Sequence, residues 1–267
     1  MNEATPQEPL IKVKNLGVTY SHHSGAPVTA LRDVTATFTG GTMTAIIGAN
    51  GAGKSTLFNA ITGQLRPTTG TMTINGRITY MPQTEAVNWD FPMTVRDVVL
   101  TAFRRPTPDD ITTANEALDS VGMSPYSARS IRHLSGGQKK RVFIARALAT
   151  QAPILILDEP FAGVDEDTED VLFRVLNARR DHGALILLST HHLGTLRSMD
   201  RIVVLQKTII SDGAPDDTLF SASPSVLLGT SLVDAATTDE SGSRTRARSD
   251  SANHKTRDND DKDDKTE

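Results

Sequence analysis

Eight consecutive residues, Gly48–Ser55 (GANGAGKS), limit what this chain can fold into more than any other stretch. They fit the pattern G-x-x-x-x-G-K-[ST]. An apolar run, Ala45-Ile46-Ile47, precedes them, and a helical pattern begins at Thr56. Glycine lacks a Cβ, so the backbone of such a loop can wrap closely around a phosphate group. The N–H groups from about Asn50 to Thr56, with Gly51, Ala52 and Gly53 between them, are expected to converge on a β-phosphate at the positive end of the helix. Lys54 would bridge the β- and γ-phosphates, and the Ser55 hydroxyl would hold Mg²⁺. A bare strand–turn–helix corner has no reason to bury a Lys-Ser pair.

The remaining pattern is that of an α/β protein. LIKVKNLGVTY alternates apolar and polar residues, as a half-buried strand does. SHHSGAPV reads as a turn, and TALRDVTATFTGG as a strand pair closed by Gly40-Gly41. TMTINGRITYMPQ is strand-like, with Asn75-Gly76 as its hairpin turn. Helical spacing dominates from Val95 to about Gly122, interrupted at Pro106 and Pro108. A helix should run through KKRVFIARALATQ. ILILDEP is a buried strand, EDTEDVLFRVLNARRDHG a helix, ALILLSTHH a buried strand, and DRIVVLQKTIISDG a hairpin. Strands alternating with helices imply a largely parallel sheet covered on both faces.

ILILDEP ends in Asp158 and Glu159, at the carboxyl end of its strand, where open α/β sheets bind ligands. Such a pair can be no more than a helix cap or a solvated loop. With a phosphate loop upstream, Asp158 is expected to bind Mg²⁺ and Glu159 to act as general base on an attacking water.

Leu134–Gln138, LSGGQ, completes the set. Together the three motifs resemble the nucleotide-binding domains of ABC ATPases, from about Leu10 to Gly213. The resemblance implies a P-loop NTPase core with a mostly parallel sheet, an N-terminal antiparallel β subdomain and a helical insertion carrying LSGGQ. It implies ATP and Mg²⁺ as cofactors. It also implies a homodimer in which each phosphate loop faces the partner copy's signature. Ser135 would donate to the γ-phosphate of the partner's ATP, Gly136 and Gly137 would allow close approach, and the helix entered through Gln138 would aim its positive end at that anion. Other positions match one by one. Tyr20 stands where an aromatic ring stacks on adenine, although a strand aromatic is also ordinary. Gln83 matches the Q-loop residue that reaches Mg²⁺ and the attacking water. Asp165 in AGVD matches the D-loop and would equally serve as a helix N-cap. His191 matches the switch histidine by its spacing from the strand, with His192 adjacent.

TEAVNWDFPMTVRDVV looks like the Q-loop region of metal-type importers for manganese, zinc or iron, as does LDEPFAGVD. That likeness implies a separate membrane permease and an extracytoplasmic substrate-binding protein. Trp89, Phe91 and Pro92 would sit at the permease groove, or Trp89 and Phe91 would pack locally. The alternatives are an importer of an iron chelate or other small solute, and a non-transport ABC ATPase acting on ribosomes or DNA. The net charge of −4 and 4% aromatic content disfavour a nucleic-acid partner.

No apolar run approaches the ~20 residues that span a bilayer. The opening residues lack the basic and apolar regions of a secretory signal, and there are no cysteines. The expected location is therefore cytoplasmic, peripheral on the inner face of the membrane through the permease. The domain reading is a flexible N-terminus over 1–9 and one ATPase domain over 10–234, with its helical subdomain at about 93–150. A charged tail over 235–267 has too few apolar residues to offset its ordering entropy and is expected to be disordered.

Overall fold

The computed structural model describes residues 8–22, 25–83, 92–191 and 193–221. The elements in chain order begin with strands β1 (Leu10–His22), β2 (Gly25–Thr39) and β3 (Thr42–Ile47), then helix α1 (Lys54–Ile61). Strands β4 (Thr69–Asn75) and β5 (Ile78–Met81) follow, then helices α2 (Val95–Leu100), α3 (Pro108–Ser120) and α4 (Gly136–Ala149). The second half holds β6 (Ile154–Asp158), α5 (Glu166–Asp181), β7 (Leu185–Ser189), α6 (Leu193–Leu196), β8 (Arg201–Leu205), β9 (Ile209–Gly213) and α7 (Pro215–Ser221).

Two sheets form. One is antiparallel, in the order β2-β1-β4. The other has six strands, β5-β6-β7-β3-β8-β9, all parallel except the β8–β9 hairpin. Every residue of β6 and β7 is buried. Alternate side chains along the six-stranded sheet divide between two cores. Leu155, Leu157, Ile186 and Leu188 pack with Met43, Ala45 and the apolar faces of α2 to α5. Ile154, Ile156, Leu185 and Leu187 pack with Ile46, Phe58 of α1 and the antiparallel sheet. Each such side chain contributes roughly 1.5–3 kcal/mol of burial. The molecule is thus three layers deep, and the period of two along each strand separates the outer layers.

Two strand expectations change. TALRDVTATFTGG is one strand, β2, and not a pair, because it stays paired with β1 throughout. Asn15 adopts φ +49° at the register shift between Val13 and Leu16, and Asp33 adopts φ +50° on β2 at the next shift, between Leu16 and Val18. The first shift moves the buried set from Ile11 and Val13 to Leu16 and Val18, so β1 twists without exposing its apolar side. Asn75-Gly76 is not a hairpin turn. The strands on its two sides enter different sheets, β4 beside β1 and β5 parallel to β6. Gly76, at φ +119°, turns the chain between layers.

The interrupted helical stretch resolves into α2 and α3. Thr94 and Thr107 form capping boxes with Asp97 and Asp110, and Pro108 opens α3 at a position where its missing N–H costs nothing. Glu8 and Pro9 are tied down, Pro9 through its carbonyl to the Gly40 N–H at 2.8 Å and Glu8 through its carbonyl to Asn75 Nδ2 at 2.8 Å. Trp89, Phe91, His192 and the segment 235–267 lie outside the described residues.

Candidate nucleotide site

The carboxyl ends of β3, β6 and β7 lie side by side, since Ile46 pairs with Ser189 and Asp158 pairs with Ser189. The phosphate loop leaves the first of these strands. Its backbone leaves no room for a Cβ at two points. A Cβ on Gly48 (φ +149°) would lie 2.1 Å from the Leu205 carbonyl oxygen, and one on Gly53 (φ +104°) would lie 2.6 Å from Leu31 Cδ2. The Lys207 N–H donates to the Ala52 carbonyl at 2.7 Å, so the β8–β9 turn clamps the loop from outside. The Ala52 N–H is used within the loop, donating to Ala49. The first N–H groups of α1 have no carbonyl behind them to bond within the helix.

Lys54 is buried, and its Nζ donates to the carbonyls of Gly48 at 2.6 Å and Ala49 at 3.3 Å. Burial pushes its pKa below the ordinary lysine value, partly opposed by the carboxylates of Glu159 and Asp158. The Ser55 hydroxyl donates to Asp158 Oδ2 at 2.7 Å. These are hard oxygen donors, one hydroxyl and one carboxylate, the kind that hold Mg²⁺ together with substrate phosphates. No cluster of three or more His, Cys, Asp or Glu suited to a metal occurs among the described residues. A site of two protein oxygens completed by phosphates needs none.

Glu159 is held on every side. It is a non-glycine residue at φ +52°, a conformation that costs roughly 1–3 kcal/mol and persists only when its surroundings enforce it. Its N–H donates to Ser189 Oγ at 2.9 Å. Its carbonyl accepts from Lys140 Nζ at 3.0 Å and from the Ala162 N–H at 3.2 Å. Its carboxylate accepts from Gln83 Nε2 at 2.8 Å and lies 3.0 Å from His191 Nε2. His191, matched to the switch histidine in the sequence, thus reaches the site. Ser189 also donates to Asp158 Oδ1.

A cleft of about 420 Å³ brings Tyr20, the loop from Asn50 to Thr56, Gln83 and Glu159 together. The Tyr20 hydroxyl lies 3.3 Å from Thr56 Oγ1, which ties the ring to the start of α1. The signature is not part of this cleft. Ser135 caps α4, accepting from the Gln138 N–H at 3.2 Å while Gln138 Oε1 accepts from the Ser135 N–H at 3.1 Å. Gly136 is open, and a Cβ on Gly137 would lie 3.5 Å from Asp165 Oδ2. Asp165 caps α5 through the Thr168 N–H at 2.8 Å, and hydrogen bonding from Thr168 holds its carboxyl below the ordinary value. The expected residues therefore form two groups in one chain, a cleft and a separate exposed patch.

Ser189, Lys140 and Lys207 carried no sequence expectation, nor did Val28, Thr29 and Ala30, which line the cleft. Ser189 sits in STHH beside a predicted residue, and Lys140 lies two residues beyond LSGGQ, so proximity was the only signal. Two larger grooves, of about 610 and 660 Å³, hold none of the expected residues.

Comparison with known proteins shows the family. A family model described as "ABC transporter" matches residues 31–162. The chain is 41% identical over 231 residues to the chelated iron transport system membrane protein YfeB of Yersinia pestis, covering 80% of this chain and 76% of that one. It is 40% identical over 226 residues to the manganese transport system ATP-binding protein MntA of Synechocystis, covering 78% and 85%. The crystal structure of a nucleotide-free ATP-binding cassette from an ABC transporter superposes with a TM-score of 0.72 at 26% identity, covering 82% and 97%. The chain belongs to the ABC transporter family, as one of its ATP-hydrolysing cassettes.

Proposed function

We propose that this chain powers the uptake of a divalent metal ion, manganese, zinc or iron, through a separate membrane permease supplied by an extracytoplasmic binding protein. The observation that carries the reading is the pair of relatives at about 40% identity, each named for manganese or iron transport and each matched over most of its length. No described helix is long and apolar enough to cross a membrane, so attachment to the inner face would come through the permease.

In this reading ATP lies along the cleft. Tyr20 stacks on the adenine, and the loop Gly48–Thr56 surrounds the phosphates with backbone N–H groups. Lys54 leaves its two carbonyl partners to bridge the β- and γ-phosphates. Ser55 and Asp158 would hold Mg²⁺, with Gln83 within reach. Mg²⁺ would supply charge neutralisation at the phosphates. Glu159 accepts the proton of the attacking water, and Gln83 and His191, already on its carboxylate, orient that water and the γ-phosphate. Ser135, Gly136, Gly137 and Gln138 act on the ATP of a second copy, and Asp165 beside them relays between the two sites. ATP would draw two copies together, and hydrolysis would release them.

The test is elemental analysis of metal-limited cells carrying either the normal chain or Glu159→Gln as their only copy. A selective fall in manganese, zinc or iron supports the reading and names the ion. Unchanged content of all three overturns the substrate assignment. The name of the Yersinia relative favours a second reading, import of chelated iron. In that case the mutant loses growth on an iron chelate but keeps normal manganese and zinc.

A further inference from the structure

The catalytic glutamate assigned above is fixed by a contact that the assigned roles leave unused. Lys140 stands on the second turn of α4, the helix that Ser135 caps, and the Ser135 carbonyl accepts from the Lys139 N–H at 2.9 Å within the same turn. Its ammonium does not follow the helix outward. It donates at 3.0 Å to the main-chain carbonyl of Glu159, across the gap between the helical layer and the six-stranded sheet. That carbonyl belongs to the residue with φ +52°. The opposite side of the same residue is held by Ser189 Oγ on β7.

We infer that Lys140 is a positioning residue for the general base: its contact with the Glu159 carbonyl holds the left-handed backbone that aims the Glu159 carboxylate, and so ties the signature helix to the chain's own hydrolytic site. The inference rests on Glu159 being the base. The argument is one of degrees of freedom. A glutamate in an ordinary backbone conformation would relax toward negative φ, carrying its side chain away from Gln83 and His191. Ser189 restrains only the N–H end. The carbonyl end is restrained by the Ala162 N–H at 3.2 Å, a weak bond within the same loop, and by Lys140, the charged and shorter one. Because Lys140 and the signature share one rigid helix, a shift of Ser135–Gln138 against a second copy's nucleotide also moves the Glu159 peptide. One helix thus joins the patch that meets the partner's ATP to the group that cleaves the chain's own.

The experiment uses the purified full chain and measures ATP hydrolysis against ATP concentration. Lys140→Met keeps the length of the side chain and removes its donors. Its kcat should fall about tenfold, the scale of one charged hydrogen bond, with KM for ATP within a factor of two. Lys140→Arg, which keeps charge and donors, should recover most of the rate. In a Glu159→Gln background, Lys140→Met should cause no further loss, and ATP should still assemble the double variant into a dimer. Normal turnover in Lys140→Met, or a further loss or failed dimer in the double variant, overturns the inference. Normal turnover in Glu159→Gln alone would instead overturn the assignment of the base.

Discussion

At Ser189 a single buried hydroxyl serves two neighbours, donating to Asp158 and accepting from the Glu159 N–H. It lets two neighbouring carboxylates share one strand end. Replacing it by alanine leaves a partly buried N–H without its partner, at a cost of about 1 kcal/mol or more. Ser189→Ala should therefore lose both thermal stability and kcat while nucleotide affinity changes little, since its side-chain hydrogen bonds run to Asp158 and Glu159. A melting curve and a titration with ATP separate the two effects; a large fall in affinity with normal kcat would contradict this account. Lys54 is balanced in the same way at residue scale. Its ammonium is held by two loop carbonyls in a buried place that disfavours charge, so in the proposed reading a phosphate would replace weak partners by a strong one.

Short elements depend on their ends more than on their length. Helix α2 has only six residues, and Val95, Val98 and Val99 anchor it in the core. Its start is set by Thr94, whose hydroxyl donates to Asp97 Oδ2 at 2.6 Å and accepts from the Asp97 N–H at 3.2 Å. Thr94→Ala should cost about 1 kcal/mol, a drop of roughly 2–4 °C in Tm. The hydrogen bonds from Thr94 depress the Asp97 carboxyl below its ordinary 3.8. A folded pKa below the unfolded one gives stability that is present above 3.8 and is lost as pH falls through the folded value. The difference between normal chain and variant should therefore close as the pH is lowered through that window. A difference that stays constant in acid would show that the carboxylate takes no part in the cap. At the same scale, the Asn-Gly signal of Asn75-Gly76 misled because a tight turn constrains only its own residues, whereas the strands it joins choose partners by burial.

For the whole molecule, the arrangement of layers sets the signature apart from the phosphate loop, so that in the proposed reading one chain carries half of each site. The cleft holds the phosphate loop, Gln83 and Glu159, while Ser135 to Gln138 and Asp165 form a separate patch on the helical side. Two copies arranged head to tail would complete both. Glu159→Gln should accordingly double its mass in gel filtration when ATP is added. Ser135→Ala in that background should abolish the shift while leaving the fold intact. A dimer that survives Ser135→Ala would place the interface elsewhere.

How far the residues alone determined this protein follows from the range over which each constraint acts. The phosphate loop, the cap at Asp165, the helix after LSGGQ and the buried runs of β6 and β7 were all legible, because glycine geometry, capping and strand periodicity act within a few residues, whereas the separate starts of α2 and α3 at Thr94 and Thr107 were not read from the interrupted stretch. Much of the candidate site was legible for the same reason, each motif being contiguous. The tertiary structure alone decided that Ser189 holds the Glu159 N–H across 30 residues and that Lys140 holds its carbonyl across 19. It also decided that β2 is unbroken and that β4 and β5 part into different sheets. Those outcomes depend on which apolar faces are buried together, a competition among all strands at once that no local stretch of residues contains.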